Sequence, residues 1–171
     1  MKINHKVNVF LENKKWLNNK IFISKRNINE ILYKISYLTL KEGIKLSKLN
    51  KTKGISNNFD TNINFILAND ALLKKLNTKF LNKKKPTNVL SFPNENFSKN
   101  HDGFLGEVFL SYETCKKEAK KFKINFKDRI GHLVVHGILH LLGYDHKTKV
   151  AEKKMVRMES KILNLQGINY Y

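Results

Sequence analysis

Few acidic residues, one cysteine and two prolines occur in this chain of 171 residues. With Cys115 alone, no disulfide can form within the chain, and nothing indicates an oxidising compartment. No apolar stretch approaches the roughly 18 residues of a membrane-spanning helix, and the first residues lack the apolar core of a secretion signal. The sequence therefore predicts a cytoplasmic protein with no membrane partner.

The shortage of acidic residues leaves a large positive charge. The chain has 33 Lys and Arg against 14 Asp and Glu, a formal net charge of +19. A field of this sign concentrates polyanions near the surface, so nucleic acid is the first partner to consider. Lysine enrichment along the whole chain also serves solubility and fits a biased genome composition, so charge alone leaves RNA or DNA binding open.

Length and composition, with 41% hydrophobic residues, predict one domain spanning residues 1–171. Apolar patterns predict four short strands, at residues 3–9, 62–67, 89–92 and 105–110. Helical spacing predicts five helices, which begin near residues 27, 70, 112, 126 and 149. About five helices packed with about four strands in one sheet make an α/β or α+β fold.

The most informative stretch is the apolar segment from His132 to His146. His136 and His140 are four residues apart, so on a helix their imidazoles share one face. Gly143 follows the last apolar pair, where a left-handed residue commonly ends a helix, and the chain can turn back to bring His146 to the same point. Three imidazole nitrogens with an open fourth position are typical of a catalytic zinc site at the end of a helix.

The alternative for any one of these histidines is a hydrogen-bonded residue of the core. Burying His136, His140 and His146 together without a cation would leave ring nitrogens without partners, at a cost of about 1–3 kcal/mol each. The set of three therefore predicts one metal ion per chain. Zinc suits three imidazoles, although nickel, copper and iron also bind this ligand type.

The spacing of the three histidines equals that of the metzincin proteases, H-E-x-x-H-x-x-G-x-x-H. In those proteases the glutamate after the first histidine is the general base. This chain has Gly137 at that position. Because glycine cannot transfer a proton, peptide hydrolysis by that route is disfavoured.

Three further side chains are candidates for roles around the metal. His132 lies on the same helical face, but a fourth histidine ligand would close the open position, so we interpret it as a partner of a ligand or a packing residue. Asp145 is expected to orient a histidine and is a weak candidate for the general base. Glu107, a carboxylate in an apolar strand, is the other weak candidate, with a solvent-facing position slightly favoured for it.

A lysine run, Lys83, Lys84 and Lys85, precedes Pro86 in a predicted loop. Such a triplet is usually a solvated patch. Its alternative role is to bind phosphates of a nucleic acid.

Two blocks of the sequence resemble the YbeY family of bacterial rRNA maturation factors. Residues 136–146, HGILHLLGYDH, match the signature H-G-x-L-H-L-x-G-Y-D-H of that family, and residues 86–93, PTNVLSFP, match its second block. Leu76-Asn77 and Leu105-Gly106-Glu107 fall where the family has similar residues. The N-terminal third matches only in the order of its strands and helix.

The resemblance implies a metal-dependent endoribonuclease, specific for single-stranded RNA, in 16S rRNA 3′-end maturation and ribosome quality control. It implies rRNA and the small ribosomal subunit as partners, with no DNA expected, and a metal usually taken to be zinc. Carried over by position, the ligands are His136, His140 and His146. An RNA-binding ribosome-assembly factor with a structural metal remains an alternative, and a metallopeptidase is a less favoured one.

The chain departs from the family pattern at Leu81, where the family usually carries an arginine shortly before the second block. Leucine cannot bind a phosphate. Our hypothesis is that Lys83, Lys84 or Lys85 replaces the arginine, as a point charge without its bidentate fork. The same departure gives the assembly-factor alternative more weight than an arginine would.

Overall fold

The computed structural model describes residues 2–17, 21–46, 58–97 and 103–170. The strands are β1 (Lys2–Leu11), β2 (Asn58–Ala68), β3 (Val89–Pro93) and β4 (Phe104–Ser111). The α-helices are α1 (Lys25–Gly43), α2 (Asp70–Leu81), α3 (Tyr112–Phe122), α4 (Phe126–Leu141) and α5 (Lys149–Leu165). Short 3-10 turns occupy Lys14–Trp16 and Ile44–Leu46. Within the described residues, four strands and five α-helices confirm the predicted α+β class.

The four strands form one mixed sheet in the order β1-β2-β4-β3. β1, β2 and β4 run parallel to one another, whereas β3 pairs antiparallel with β4. The ladder continues beyond both ends of β3, since Asn88 O accepts from Ser111 N and Asn94 N donates to Leu105 O, each at 2.9 Å. Because β3 is the last strand in this order, it forms one edge of the sheet and pairs with β4 on one side only.

The main core lies between one face of the sheet and helices α1 and α4. α4 is apolar on nearly all sides, as expected for a helix that is covered by other elements. It packs against α1, α3 and α5 as well as against β3 and β4. Its fully buried side chains include Val134, Val135, Ile138 and Leu139. The helix that carries the histidines is thus the most enclosed helix of the fold.

A smaller apolar cluster covers the opposite face of the sheet. Ile66, Ala68 and Leu73 form its buried centre, and Leu90 and Phe109 pack against it. Leu73 belongs to α2, so α2 shields this face while α4 shields the other. The C-terminal end of α2 comes to the edge strand β3, which it contacts.

Candidate metal centre and cleft

Local sequence explains where the histidine helix starts and stops. The Asn125 side chain accepts a hydrogen bond from Asp128 N at 2.7 Å, which caps the N-terminus of α4. Past the C-terminus, Gly143 has a φ of 82°, a left-handed conformation that glycine adopts without strain. Tyr144 N then donates to Leu139 O at 3.0 Å, which folds the chain back over the last turn. This return brings His146 to the histidines of α4, as the sequence predicted.

His136, His140 and His146 form a cluster in which one ring nitrogen of each lies within 4.8 Å of the others. The Nε2 atoms of His136 and His140 are 3.0 Å apart. The ring of His146 stacks at a centroid distance of 5.9 Å from His136 and meets His140 edge-on at 5.1 Å. On a tetrahedral zinc ion with bonds of about 2.1 Å, ligand atoms stand roughly 3.4 Å apart. The cluster therefore has the dimensions of a three-histidine metal site.

Glu159 of α5 orients the first histidine. Its Oε1 lies 2.6 Å from His136 Nδ1. Burial by itself raises the pKa of this carboxyl, but hydrogen bonds from His132 and His136 lower it to about 2. An ionised carboxylate only accepts, so His136 Nδ1 carries the proton and Nε2 keeps its lone pair. A histidine held in this way by a carboxylate is the usual arrangement at metal centres.

A backbone carbonyl orients the second histidine. His140 Nδ1 lies 3.0 Å from Tyr144 O, which can only accept, so His140 also presents an unprotonated Nε2. Burial, followed by the proximity of His136 and His146, lowers the pKa of His140 to about 4. His140 is therefore neutral at pH 7, which is the form that binds metals.

The chemistry of this donor set fits a divalent transition metal. The Nε2 lone pairs of His136 and His140 face each other at 3.0 Å and repel. Neither ring can change tautomer to remove this repulsion, because the Nδ1 protons are held by hydrogen bonds to Glu159 and to the Tyr144 carbonyl. A cation between the two nitrogens converts the repulsion into coordination. His146 adds the third nitrogen from a side chain that is exposed.

His132 lies one step further from the cluster. Its Nε2 is 3.9 Å from Glu159 Oε2, and its Nδ1 is 3.3 Å from Arg129 Nη1. The two oxygens of Glu159 thus contact His136 and His132 respectively. His132 is therefore linked to the cluster by way of Glu159.

The histidine cluster opens into a cleft of about 830 Å³. One wall carries His136, His140 and His146, together with Asp145 and Lys147. The facing wall is made by the end of α2, the loop that follows it and the edge strand β3, and its lining residues are Asn77, Leu81, Lys83, Lys85, Pro86, Thr87, Asn88, Val89, Leu90, Ser91 and Pro93. The two sequence blocks that carried the family resemblance therefore face each other across one cleft.

A buried ion pair holds β3 beside α4. Arg129 of α4, 3% exposed, donates to Glu118 Oε2 through Nη2 at 2.7 Å and through Nε at 2.9 Å. The same carboxylate accepts from Asn88 Nδ2 at 3.1 Å, and Asn88 leads into β3. Because one carboxylate joins α3, α4 and the start of β3, the facing wall is fixed relative to the histidines.

Close packing explains the glycine that follows the first histidine. A Cβ at Gly137 would lie 2.8 Å from Val108 Cγ1 and 3.0 Å from Ser91 Oγ, so α4 touches the sheet at this point. The position faces the sheet rather than the cleft, and a glutamate could not fit there. The structure therefore gives a second reason against the metzincin mechanism.

The two weak candidates for a general base are placed differently. Glu107 accepts from Asn64 Nδ2 at 3.3 Å, on the face of the sheet opposite to Val108 and hence opposite to α4. Strand alternation turns its carboxylate away from the cluster, in agreement with the solvent-facing position that we favoured for it. Asp145 lines the cleft, and its Oδ1 accepts from Lys147 N at 3.2 Å, which shapes the loop around His146. Among the described residues that line the cleft, Asp145 is the one carboxylate.

The structure divides the lysine run. Lys83 and Lys85 line the cleft, whereas Lys84 is exposed and is not among the lining residues. Leu81, at the position of the usual family arginine, lines the same wall and is 52% exposed. The two lysines therefore stand close in the chain to the place that the arginine would occupy.

Sequence reasoning missed Glu159 and the Tyr144 carbonyl. Glu159 lies 23 residues after His136, on a different helix, so no local motif connects the two residues. One signal was present: Met155, Glu159 and Ile162 share the buried side of α5, where a carboxylate needs a partner. The role of the Tyr144 carbonyl has no signal in residue identity.

Comparison with known proteins places these features in a family. A family model described as Endoribonuclease YbeY matches residues 22–167. A protein named Endoribonuclease YbeY from Wolbachia sp. subsp. Drosophila simulans (strain wRi) is 46% identical over 111 residues, which cover 65% of this chain and 73% of the relative. One of the same name from Ehrlichia ruminantium (strain Gardel) is 42% identical over 106 residues, which cover 62% of this chain and 66% of the relative.

A solved structure shows the same fold. The solution structure of TM1509 from Thermotoga maritima aligns with a TM-score of 0.50 and 24% sequence identity. The alignment covers 94% of this chain and 91% of that chain. The likeness therefore extends over nearly all of the described elements.

Proposed function

Because this chain belongs to the YbeY family of endoribonucleases, we propose that it is a metal-dependent hydrolase that cleaves phosphodiester bonds within RNA. The observation that carries the proposal is the convergence of three histidines, two of them held by orienting partners, in a cleft whose facing wall bears Lys83 and Lys85. A metal ion bound by the histidines would supply the chemistry of cleavage, and the two lysines would hold the polyanionic substrate.

In this proposal His136, His140 and His146 hold one metal ion, with Glu159 and the Tyr144 carbonyl keeping the first two rings in place. A divalent cation bound there supplies Lewis-acid polarisation of the scissile phosphodiester. Zinc is the proposed ion, since three neutral imidazoles with an open position are a common zinc site.

The remaining steps belong to side chains of this protein. Lys83 and Lys85 bind phosphates of the strand on the facing wall, and we assign Lys84 a weaker electrostatic role. Asp145 is the carboxylate that can accept a proton in the cleft, in addition to shaping the loop around His146. His132 supports the site through Glu159.

The proposal extends to the substrate, the partner and the location of the enzyme in the cell. We propose rRNA as the substrate, at the 3′ end of 16S rRNA, with the small ribosomal subunit as partner and ribosome quality control as the wider role. Cytoplasmic location is proposed with it. No helix among the described residues is long and apolar enough to cross a bilayer. The net charge of +19 also suits a polyanionic partner.

The test compares wild type with His140→Ala on an end-labelled single-stranded RNA, with bound metal measured and folding checked by circular dichroism. Wild type should cleave, and the variant should lose both the metal and the cleavage while remaining folded. Equal cleavage by both proteins would overturn the proposal, because it would show that cleavage does not depend on this site.

The products of the same reaction identify the nucleophile. Attack by the ribose 2′-OH leaves a cyclic phosphate, whereas attack by water leaves a linear phosphate end. A parallel digest of casein tests the peptidase alternative, for which we expect no product. If neither wild type nor His140→Ala cleaves RNA but both bind it, the assembly-factor alternative would be favoured.

A further inference from the structure

The rim of the cleft carries an aromatic ring that the proposed cleavage does not use. Phe80, the second-to-last residue of α2, is 54% exposed. Its ring meets the ring of Phe92 edge-to-face at a centroid distance of 5.0 Å, and Phe92 meets Phe109 at 5.5 Å. Phe80 therefore packs against Phe92, which in turn packs against Phe109, while more than half of the Phe80 surface faces solvent.

The position of this ring connects it to the cleft. Phe80 lies next to Leu81, and Leu81 and Asn77 both line the cleft. Its partner Phe92 belongs to β3, the strand whose residues Ser91 and Pro93 line the cleft, and its own side chain points to the α2 face of that strand. The two aromatic residues thus sit where the end of α2 meets the edge strand β3, at the margin of the facing wall.

A lysine lies against the ring. The Lys79 Nζ is 5.2 Å from the centroid of Phe80. The lysine loop is tied to the same end of α2, because Asn77 Nδ2 donates to Lys85 O at 2.7 Å and Lys83 N donates to Asn77 O at 3.2 Å. An aromatic surface therefore stands beside Lys79, at the end of the helix that also anchors the loop of Lys83 and Lys85.

Packing alone does not account for this exposure. Phe80 continues the buried stripe of α2 that contains Leu73 and Asn77, but the stripe runs past the edge of the sheet and leaves the ring open. Phe10 of β1 is a useful contrast. It is 46% exposed and lies on the strand at the opposite edge of the sheet, whereas Phe80 is the chain neighbour of Leu81, which lines the cleft.

We propose that Phe80 is a nucleobase-stacking subsite, which binds one unpaired base of the RNA strand whose phosphates lie along Lys83 and Lys85; this inference rests on the proposed function. Bases stack on aromatic side chains with little regard to their identity, because every base has a π-face. A base within a duplex is already stacked on both faces, so the subsite accepts single strands and rejects helices. Lys79 can swing from the ring to a flanking phosphate when the base arrives.

The test measures RNA binding without cleavage, using metal-depleted protein and a fluorescein-labelled single-stranded oligonucleotide in an anisotropy titration. Phe80→Ala should weaken binding by about 5-fold to 100-fold, the effect of losing one base–aromatic stack. Phe80→Tyr should bind as wild type does. Phe10→Ala, the matched control, should change binding by less than about 2-fold. Binding of a duplex RNA of the same length should not distinguish the four proteins.

A second readout reports the stack itself. Trp16 is fully buried, so in Phe80→Trp the introduced indole is the one exposed to solvent among the described residues. Its fluorescence should be quenched by the single strand and not by the duplex. An abasic site scanned through the oligonucleotide should weaken binding to wild type at one position and have no further effect on Phe80→Ala.

Three outcomes would overturn the subsite. They are unchanged binding by Phe80→Ala, an equal loss in Phe10→Ala, and a loss that is the same for single strand and duplex. Failure of the proposed function gives a different result, namely no cleavage by metal-loaded wild type, whichever way the binding titration turns out.

Discussion

The two walls of the cleft are built on different principles. The histidine wall, made of His136, His140 and His146, is held from behind by buried groups: Glu159 contacts one ring and the Tyr144 carbonyl contacts another. The part of the facing wall next to α2, called the α2 wall below, consists of Leu81 at the end of the helix and Lys83 and Lys85 in the loop that follows, and all three residues are exposed. The histidine wall is therefore held in a fixed geometry, whereas the α2 wall offers positive charge on exposed side chains.

Substitution behind the histidine wall should have the largest effect. Gly137→Glu would place a Cβ 2.8 Å from Val108 and bury a carboxylate between α4 and the sheet. We expect a loss of at least about 3 kcal/mol in the free energy of unfolding, measured by urea denaturation. Gly137→Ala, which adds the Cβ alone, should lose less. A folded Gly137→Glu that digests casein would contradict both the packing and the argument against peptidase activity.

Removing the charge behind the first ligand should weaken the site without unfolding the protein. In Glu159→Gln the carboxylate that orients His136 becomes a neutral amide. We expect zinc affinity to fall by about 10-fold to 100-fold in a competition titration with a chelator, as for other partners of metal-bound histidines. Glu152→Gln, on the exposed side of the same helix, is the control and should bind zinc normally. Equal affinities in the two variants would show that Glu159 has no orienting role.

Charge removal on the α2 wall should act on RNA and spare the metal. Lys83→Ala combined with Lys85→Ala should lower cleavage of single-stranded RNA by about 10-fold. The slope of log binding constant against log salt should become shallower by about 0.7 for each lost phosphate contact. Zinc content should stay at the wild-type value. Lys84→Ala is the matched control, since Lys84 does not line the cleft, and an effect as large as that of the double variant would contradict this distinction.

The smallest effect expected is a gain. Leu81→Arg would place a guanidinium on the α2 wall where Leu81 now lines the cleft. We expect kcat/KM for single-stranded RNA to rise by roughly 3- to 10-fold, about 1 kcal/mol for a solvent-exposed charged contact. Leu81→Gln separates charge from polarity and should leave kcat/KM unchanged. If Leu81→Arg also has no effect, Lys83 and Lys85 already supply what the arginine provides in other members of the family.

Sequence patterns predicted the strands and helices well, because strand alternation and helical spacing both depend only on residues that are close in the chain. The four strands and five α-helices occur where apolar alternation and helical spacing indicated, and Gly143 adopts the left-handed conformation that its place after α4 suggested. The three histidines were found for the same reason, since two are one helical turn apart and the third follows a short turn. For Glu107 the sequence left two positions open, because alternation alone does not say which face of the strand meets α4.

The sequence by itself determined the spacing of the three histidines and the excess of positive charge. The first is a property of residues that are near in the chain, and the second is a sum that does not depend on position. Only the tertiary structure decided that Glu159 orients His136, that Gly137 presses against Val108 and that Phe80 stands at the rim of the cleft. Each of these joins residues that are distant in the chain. Their meeting depends on the order of the strands and the packing of helices on both faces of the sheet, and no local pattern contains that information.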